Sequence, residues 1–427
     1  MAKVQKKSKV ITPFAGVFFI NEEFDRVGLG ELIDTQLGTR ARGFGYKYSE
    51  IFRSWFNIFF CGGDCAEDIE VHLRDTLENI PGNDVPGADT LLRGIKELAV
   101  DNTRVTSTSG KDYNFNINTR LNDLNMKLLF LTGQLEPGKK YDFDYDNQII
   151  EHEKYDAKRT YKHNTGYFIG AATIGDKIVY IENRDGNANV KLSQDQTLTR
   201  AYDLLKGHGV SVYRSRMDAG SYSEDIIKTV SKNSELFYIR ANKCDTTTTN
   251  VRDIKEWKEV VINDKEYQVA SMPFTSFLKD RDYRLVVARE KGTGDQLDMF
   301  TGDNFSYRCI LTNDHEHTEK EIIEYYNDRG ASEKTFDIQN NDFGWNHLPC
   351  SDMNHNTVYL IMTAMMKNFY NYIIANVSRV FKDISACSRV KRFIFRFISV
   401  PGRWVRQSRQ WKIQLFTDRP YEKLAFT

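Results

Sequence analysis

Three acids alternate with aromatic residues in the run YDFDYDNQII, so that Asp142, Asp144 and Asp146 share one face of a strand and Tyr141, Phe143 and Tyr145 the other. Like charges placed so close repel unless water or a cation neutralises them. Asp218 ends a second apolar run, VSVYRSRMD, immediately before Ala219-Gly220. Strand ends are where open α/β sheets build their sites, although an Asp before Gly also commonly caps a turn. Glu333 lies on a helical stretch, and Tyr326, Arg329 and Glu333 fall at i, i+3 and i+7 on one face of it, continued by Asp337 and Asn340. A first-strand Asp, a fourth-strand Asp and a final-helix Glu can converge on one point. Such a trio suits two hard, oxygen-seeking Mg2+ ions about 3.5–4 Å apart, which activate water and stabilise a leaving oxygen in in-line attack on phosphate. The run from Asp142 to Glu153 also fits part of a calcium-loop pattern, but Asn147 stands where that loop needs Gly and strands are expected on both sides.

The elements expected to hold these residues are α/β. After the strand at 141–146 come two β-rich runs, GYFIGAATIG and KIVYIENR, joined at a Gly-Asp turn. A helix over 193–207, a strand over 210–218, a helix over 223–231 and a strand over 234–241 follow. That order is the order of a ribonuclease-H-like sheet. A β-rich insertion, with VVINDKEYQVA and YRLVVARE, separates it from a helix running from about 318 to 340. A second helix, about 354–376, is apolar nearly all round and is expected to pack inside. Residues 24 to about 125 read as mostly helical. The expected organisation is a basic arm and helical DNA-binding domain at 1–130, the first part of the catalytic domain at 131–242, the insertion at 243–307, closing helices at 308–376, and a basic hairpin around Pro401-Gly402 within the tail at 377–427.

The 427 residues carry 59 Lys and Arg against 59 Asp and Glu, so net charge alone does not point to nucleic acid. Its distribution does: residues 1–21 hold four lysines (Lys3, Lys6, Lys7 and Lys9) and no acid, and residues 384–417 hold eight basic residues and no acid. Mean hydropathy of -0.54, short apolar runs and no signal-peptide pattern suggest an intracellular chain with no membrane span. Six scattered cysteines, of which only Cys61 and Cys65 are close, argue against a zinc site.

The pieces YDFDYD, GYFIGA, RMDAG and Y-x2-R-x3-E (Tyr326, Arg329, Glu333) resemble the DDE transposases of bacterial insertion sequences, the cut-and-paste group with a β-strand insertion before the final Glu. The resemblance implies a ribonuclease-H-like catalytic domain that cleaves the terminal repeats of a mobile element in double-stranded DNA and transfers them to target DNA. It implies Mg2+ as cofactor, with Mn2+ able to substitute, a homodimer in the synaptic complex, and a cytoplasmic, nucleoid-associated bacterial protein. By its match to the family's strand Asp, Asp144 is preferred as first ligand beside Asp218 and Glu333, with Asp142 as the alternate. Tyr326 and Arg329 would lie near the phosphate backbone. The family often carries a Lys seven residues after the Glu; Asn340 stands there instead, so Lys334 or the tail basics Arg392, Arg396, Arg403 and Arg406 are candidates for that contact. Trp404 and Trp411 are expected to pack in the tail hairpin, with base stacking as the other use. Two other readings remain: a ribonuclease-H-like nuclease without strand transfer, and a non-catalytic DNA-binding protein derived from a transposase.

Overall fold

A computed structural model describes residues 11–40, 45–242, 251–292 and 304–424, without the side chains of residues 331 and 332. The arm lysines Lys3, Lys6, Lys7 and Lys9 lie outside the described residues, as do parts of the expected insertion. No helix among the described residues is long and apolar enough to cross a membrane.

The strands are β1 (Thr103–Thr106), β2 (Asp112–Asn116), β3 (Lys140–Glu151), β4 (Lys158–Arg159), β5 (Thr165–Ile174), β6 (Lys177–Arg184), β7 (Ser211–Met217), β8 (Ser234–Arg240), β9 (Lys258–Ile262), β10 (Lys265–Pro273), β11 (Arg284–Lys291), β12 (Phe305–Thr312), β13 (Gly402–Gln407) and β14 (Gln410–Leu415). All but the last two form one mixed sheet in the order β1-β2-β6-β5-β3-β7-β8-β12-β11-β10-β9, with β4 beside β5. At its centre β3 runs antiparallel to β5 and parallel to β7, and β7 parallel to β8. The parallel steps require crossovers, which the helices Gln194–Gly207 and Glu224–Asn233 supply. The runs VVINDKEYQVA and YRLVVARE form β9-β10 and β11, and with β12 they extend the same sheet from the edge of β8.

Period two in β3 sends Phe143 and Tyr145 into the core beneath the two crossover helices. The acidic face turns the other way. On that side Ile150 joins a larger core made with the N-terminal helices and the 28-residue helix Met353–Val380. That helix is buried over most of its circumference, as its nearly uniform apolar sequence requires. The N-terminal helices share this core with the C-terminal residues, so they are packed onto the body of the protein. The hairpin β1-β2 interrupts the expected helical stretch and pairs β2 with β6. Exposed alternation in TRVT, bounded by turn residues, carries no apolar period and hid it.

Beyond the sheet, the helix read over about 318–340 is two helices, Glu319–Asn327 and Gly330–Asp342, separated by a turn at Asp328 and Arg329. The first lies on the added strands: Ile322 and Ile323 pack with Tyr238, Val269, Val286 and Ile310. The added strands thus seat the helix that aims the second one across β3. In the tail, RFIFRFISV forms a helical segment, Val390–Phe393 continued by Ile394–Ile398. The hairpin is therefore β13-β14, turning at Ser408-Arg409, and Pro401-Gly402 only leads into it.

Candidate active site

The parallel register of β3 and β7 sets the site. Asp142 faces Arg214 and Asp144 faces Arg216, with Tyr145 beside Met217. One step further brings Asp146 level with Asp218. The series Asp-x-Asp-x-Asp is therefore met by Arg-x-Arg-x-Asp, and the first two acids find guanidinium partners while the third meets another acid.

The two pairs are well made. Arg214 donates to both carboxylate oxygens of Asp142 at 2.8 and 2.5 Å. Arg216 donates to both oxygens of Asp144 at 2.7 Å, and its third nitrogen donates to the Tyr325 carbonyl at 2.7 Å. Asp144 is 2% exposed. The Tyr325 ring lies under both guanidinium groups, 3.9 Å from Arg214 and 4.5 Å from Arg216. This ladder clamps the Glu319–Asn327 helix onto the sheet. Asp144, expected as the first ligand, and Asp142, the alternate, are thus taken up as anchors of that helix.

Asp146 is different. Arg329 reaches it at 3.2 Å across a half-buried contact. Burial pushes its carboxyl up to about 6; Arg329 opposes this, and the charges of Asp218 and Glu333 add to it. Asp218 is at the end of β7 and accepts from the Gly220 amide at 3.0 Å, so it caps the turn Ala219–Ser221 as well as facing Asp146. Tyr326 donates to the Met217 carbonyl at 3.1 Å, fixing the helix end beside Asp218. Burial raises the Tyr326 hydroxyl to about 12, keeping it a neutral donor. Burial is the largest single effect on Arg329 and works against its charge, but Asp146, Tyr326, Asp218 and Asp144 together outweigh it and hold the guanidinium above its ordinary value. Glu333 is exposed on the first turn of the Gly330–Asp342 helix.

The structure thus gathers Asp146, Asp218, Glu333, Tyr326 and Arg329. Lys334 is exposed beside Glu333. Asn340 is half-buried and lines a cleft of about 340 Å3 with Asp342, His347 and Lys391, its Oδ1 lacking a partner among the described residues. Among the described residues, the tail basics Arg392, Arg396, Arg403 and Arg406 make no ion pair with Asp146, Asp218 or Glu333. Arg392 is exposed, Arg396 donates to the Asp383 carbonyl, and the other two belong to the β13-β14 ribbon. Asp146, placed by the sequence on the same strand face but not chosen as a ligand, is the acid of that face on which the charges of Asp218, Glu333 and Arg329 act. Its signal was present in RSRMD, whose two arginines match two of the three acids and leave the third for Asp218.

The donor set suits hard divalent cations. Asp146 and Asp218 lie at the ends of two parallel strands and Glu333 on the helix above them; burial, more than the charges of Asp218 and Glu333, raises Asp146, against the pull of Arg329. Asp142 and Asp144 are each held by a guanidinium fork. Elsewhere Asp64, Cys65 and Asp68 come within 4.8 Å of one another, but Asp68 there accepts from the Asp64 and Cys65 amides as a loop cap.

No curated protein matches this chain. Among solved structures, it is similar to a cryo-EM structure of the piggyBac transposase synaptic complex with hairpin DNA, at 13% identity and a TM-score of 0.45, over 90% of this chain and 79% of that one. The family model described as Transposase DDE domain group 1 matches residues 2–426, and the chain belongs to that family.

Proposed function

We propose that the protein cuts double-stranded DNA at the ends of a mobile element and joins them to target DNA, with Asp146, Asp218 and Glu333 as the metal-binding carboxylates. The observation that carries the assignment is the β3-β7 register, which ends at Tyr145 beside Met217 and leads directly into Asp146 and Asp218, with Asp218 and Glu333 both acting on Asp146. Divalent ions bound there would supply an activated water and charge neutralisation at the phosphate. Supporting a ribonuclease-H-like core is the order β6-β5-β3-β7-β8, antiparallel on one side of β3 and parallel on the other.

Each protein group then has a definable task. Asp218 is held in place by its bond from Gly220, and Asp146 by the pairing of β3 on both edges. Arg329, freed from Asp146 when cations neutralise that acid, is placed to contact a phosphate. Tyr326 holds the strand end through Met217. Lys334 and Asn340 would extend the contact along the backbone, and two copies would hold two element ends.

The test is cleavage of a plasmid carrying the DNA that flanks this coding sequence, with Mg2+, Mn2+, Ca2+ or no metal. Wild type is expected to cut and join in Mg2+ or Mn2+, and Asp146→Asn and Glu333→Gln to bind DNA without cutting. Cutting without joining would favour a nuclease. Binding without cutting under every metal would favour a non-catalytic DNA-binding protein.

A further inference from the structure

We propose that the β13-β14 ribbon enters the major groove of duplex DNA and reads base edges with its glutamine-bearing face. The inference rests on the DNA-cutting reading above and adds a sequence-selecting surface to it.

Opposed residues of an antiparallel pair project to the same side. The pairs Arg403-Gln414, Val405-Lys412 and Gln407-Gln410 therefore share one face, and Trp404-Ile413 and Arg406-Trp411 the other. The second face is anchored: Trp404, Ile413 and Leu415 pack against the main core, and Trp404 meets Phe18 edge-on at 4.8 Å. The first face is left to solvent, with Gln407, Gln410, Lys412 and Gln414 exposed. Cross-strand bonds order it, from Arg403 to the side-chain Oε1 of Gln414 at 2.8 Å and from Lys412 to the side-chain Oε1 of Gln407 at 3.3 Å. Both amides keep their NH2 groups for a partner.

Charge identifies the partner. Residues 402–416 contain four basic residues and no acid, which suits a polyanion. A two-stranded ribbon fits the major groove, where Gln pairs with adenine and Arg or Lys with guanine. The tip is compact, Ser408 and Arg409 both having positive φ, at 53° and 65°, as a tight two-residue hairpin turn requires. Arg409 at the tip borders the reading face and is placed for a phosphate contact, while Arg406 lies over the exposed Trp411 at 5.9 Å on the opposite face.

The experiment selects duplexes from a pool with a randomised 30-base-pair core, in EDTA, using the full chain and Gln410→Ala/Gln414→Ala. The wild type is expected to enrich a defined sequence, and 7-deazapurines at the enriched positions, which lack the major-groove N7 acceptor, to weaken its binding roughly 5- to 150-fold. The double variant is expected to melt at the wild-type temperature and to bind enriched and random duplexes alike. Enrichment of the same sequence by the variant, or indifference of the wild type to 7-deazapurines, would overturn the proposal. Failure of the wild type to cut DNA in Mg2+ would instead strike the catalytic reading and leave this binding result standing.

Discussion

Replacing Asp144 by Ala separates the two acids most sharply. Asp144 is 2% exposed and neutralises an Arg216 whose side chain is 8% exposed. Without it, Arg216 is left charged and buried, with only the Tyr325 carbonyl to satisfy it. Removing one partner of such a pair costs about 3–5 kcal/mol, a large share of the roughly 5–15 kcal/mol that holds a typical domain together. Asp146 behaves in the opposite sense. Its folded-state carboxyl is raised from 3.8 to about 6, so the unfolded chain loses that proton first as pH rises. Its ionisation therefore erodes stability as pH rises from about 4 to about 6, is fully felt above pH 6, and fades below pH 4 as both states take up the proton. The shift corresponds to roughly 3 kcal/mol at pH 8. Urea unfolding at pH 8 in EDTA is the assay. Asp144→Ala is expected to lose about 3–5 kcal/mol, of which Arg216→Met in the same chain restores a substantial part. Asp146→Asn is expected to equal or exceed wild type at pH 8 and to match it at pH 4. A neutral Asp144→Ala, together with a strongly destabilised Asp146→Asn, would exchange the two roles and refute the reasoning.

Other consequences follow from the same contacts. Mn2+ should raise the melting temperature of the wild type more at pH 8 than at pH 5, where protons compete for Asp146, and should leave Asp146→Asn unaffected; differential scanning fluorimetry reads both. Trp345 is fully buried and donates to Thr363 at 3.0 Å, so Trp345→Ala should cost about 3–5 kcal/mol in urea melts. A Cβ at Gly170 would come within 2.1 Å of the Tyr145 hydroxyl, which accepts from Arg184; Gly170→Ala should cost about 1–3 kcal/mol by the same assay. Tyr325→Leu removes the ring stacked under Arg214 and Arg216 and should lower DNA cutting more than DNA binding, because the ladder positions the helix leading to Glu333.

The strands and helices around the site were legible because their periods are clean. Alternation marked β3, and continuous apolar runs marked β5 and the buried helix Met353–Val380. The choice between Asp144 and Asp142 as first ligand was not legible from β3 alone, because both, with Asp146, share its face, and their different partners appear only in the register with β7. That register is a pairing between segments more than 60 residues apart. The tail misled for a related reason: RFIFRFISV alternates like a strand, yet Phe393, Phe397 and Ile398 bury together on a helical turn against the main core. The separation of the Glu319–Asn327 and Gly330–Asp342 helices was signalled only weakly, by Asn327-Asp328 and by Gly330, a poor helix former, inside an otherwise continuous helical pattern.

The most direct test of the central claim is to replace Mg2+ by Fe2+ and map where hydroxyl radicals, generated with ascorbate and peroxide, cut the polypeptide. Cuts clustered near residues 146, 218 and 333, suppressed by excess Mg2+ and lost in Asp218→Asn, are the expected result. Cuts confined to another acidic group, such as Asp64 and Asp68, or a pattern unchanged in Asp218→Asn, would contradict it.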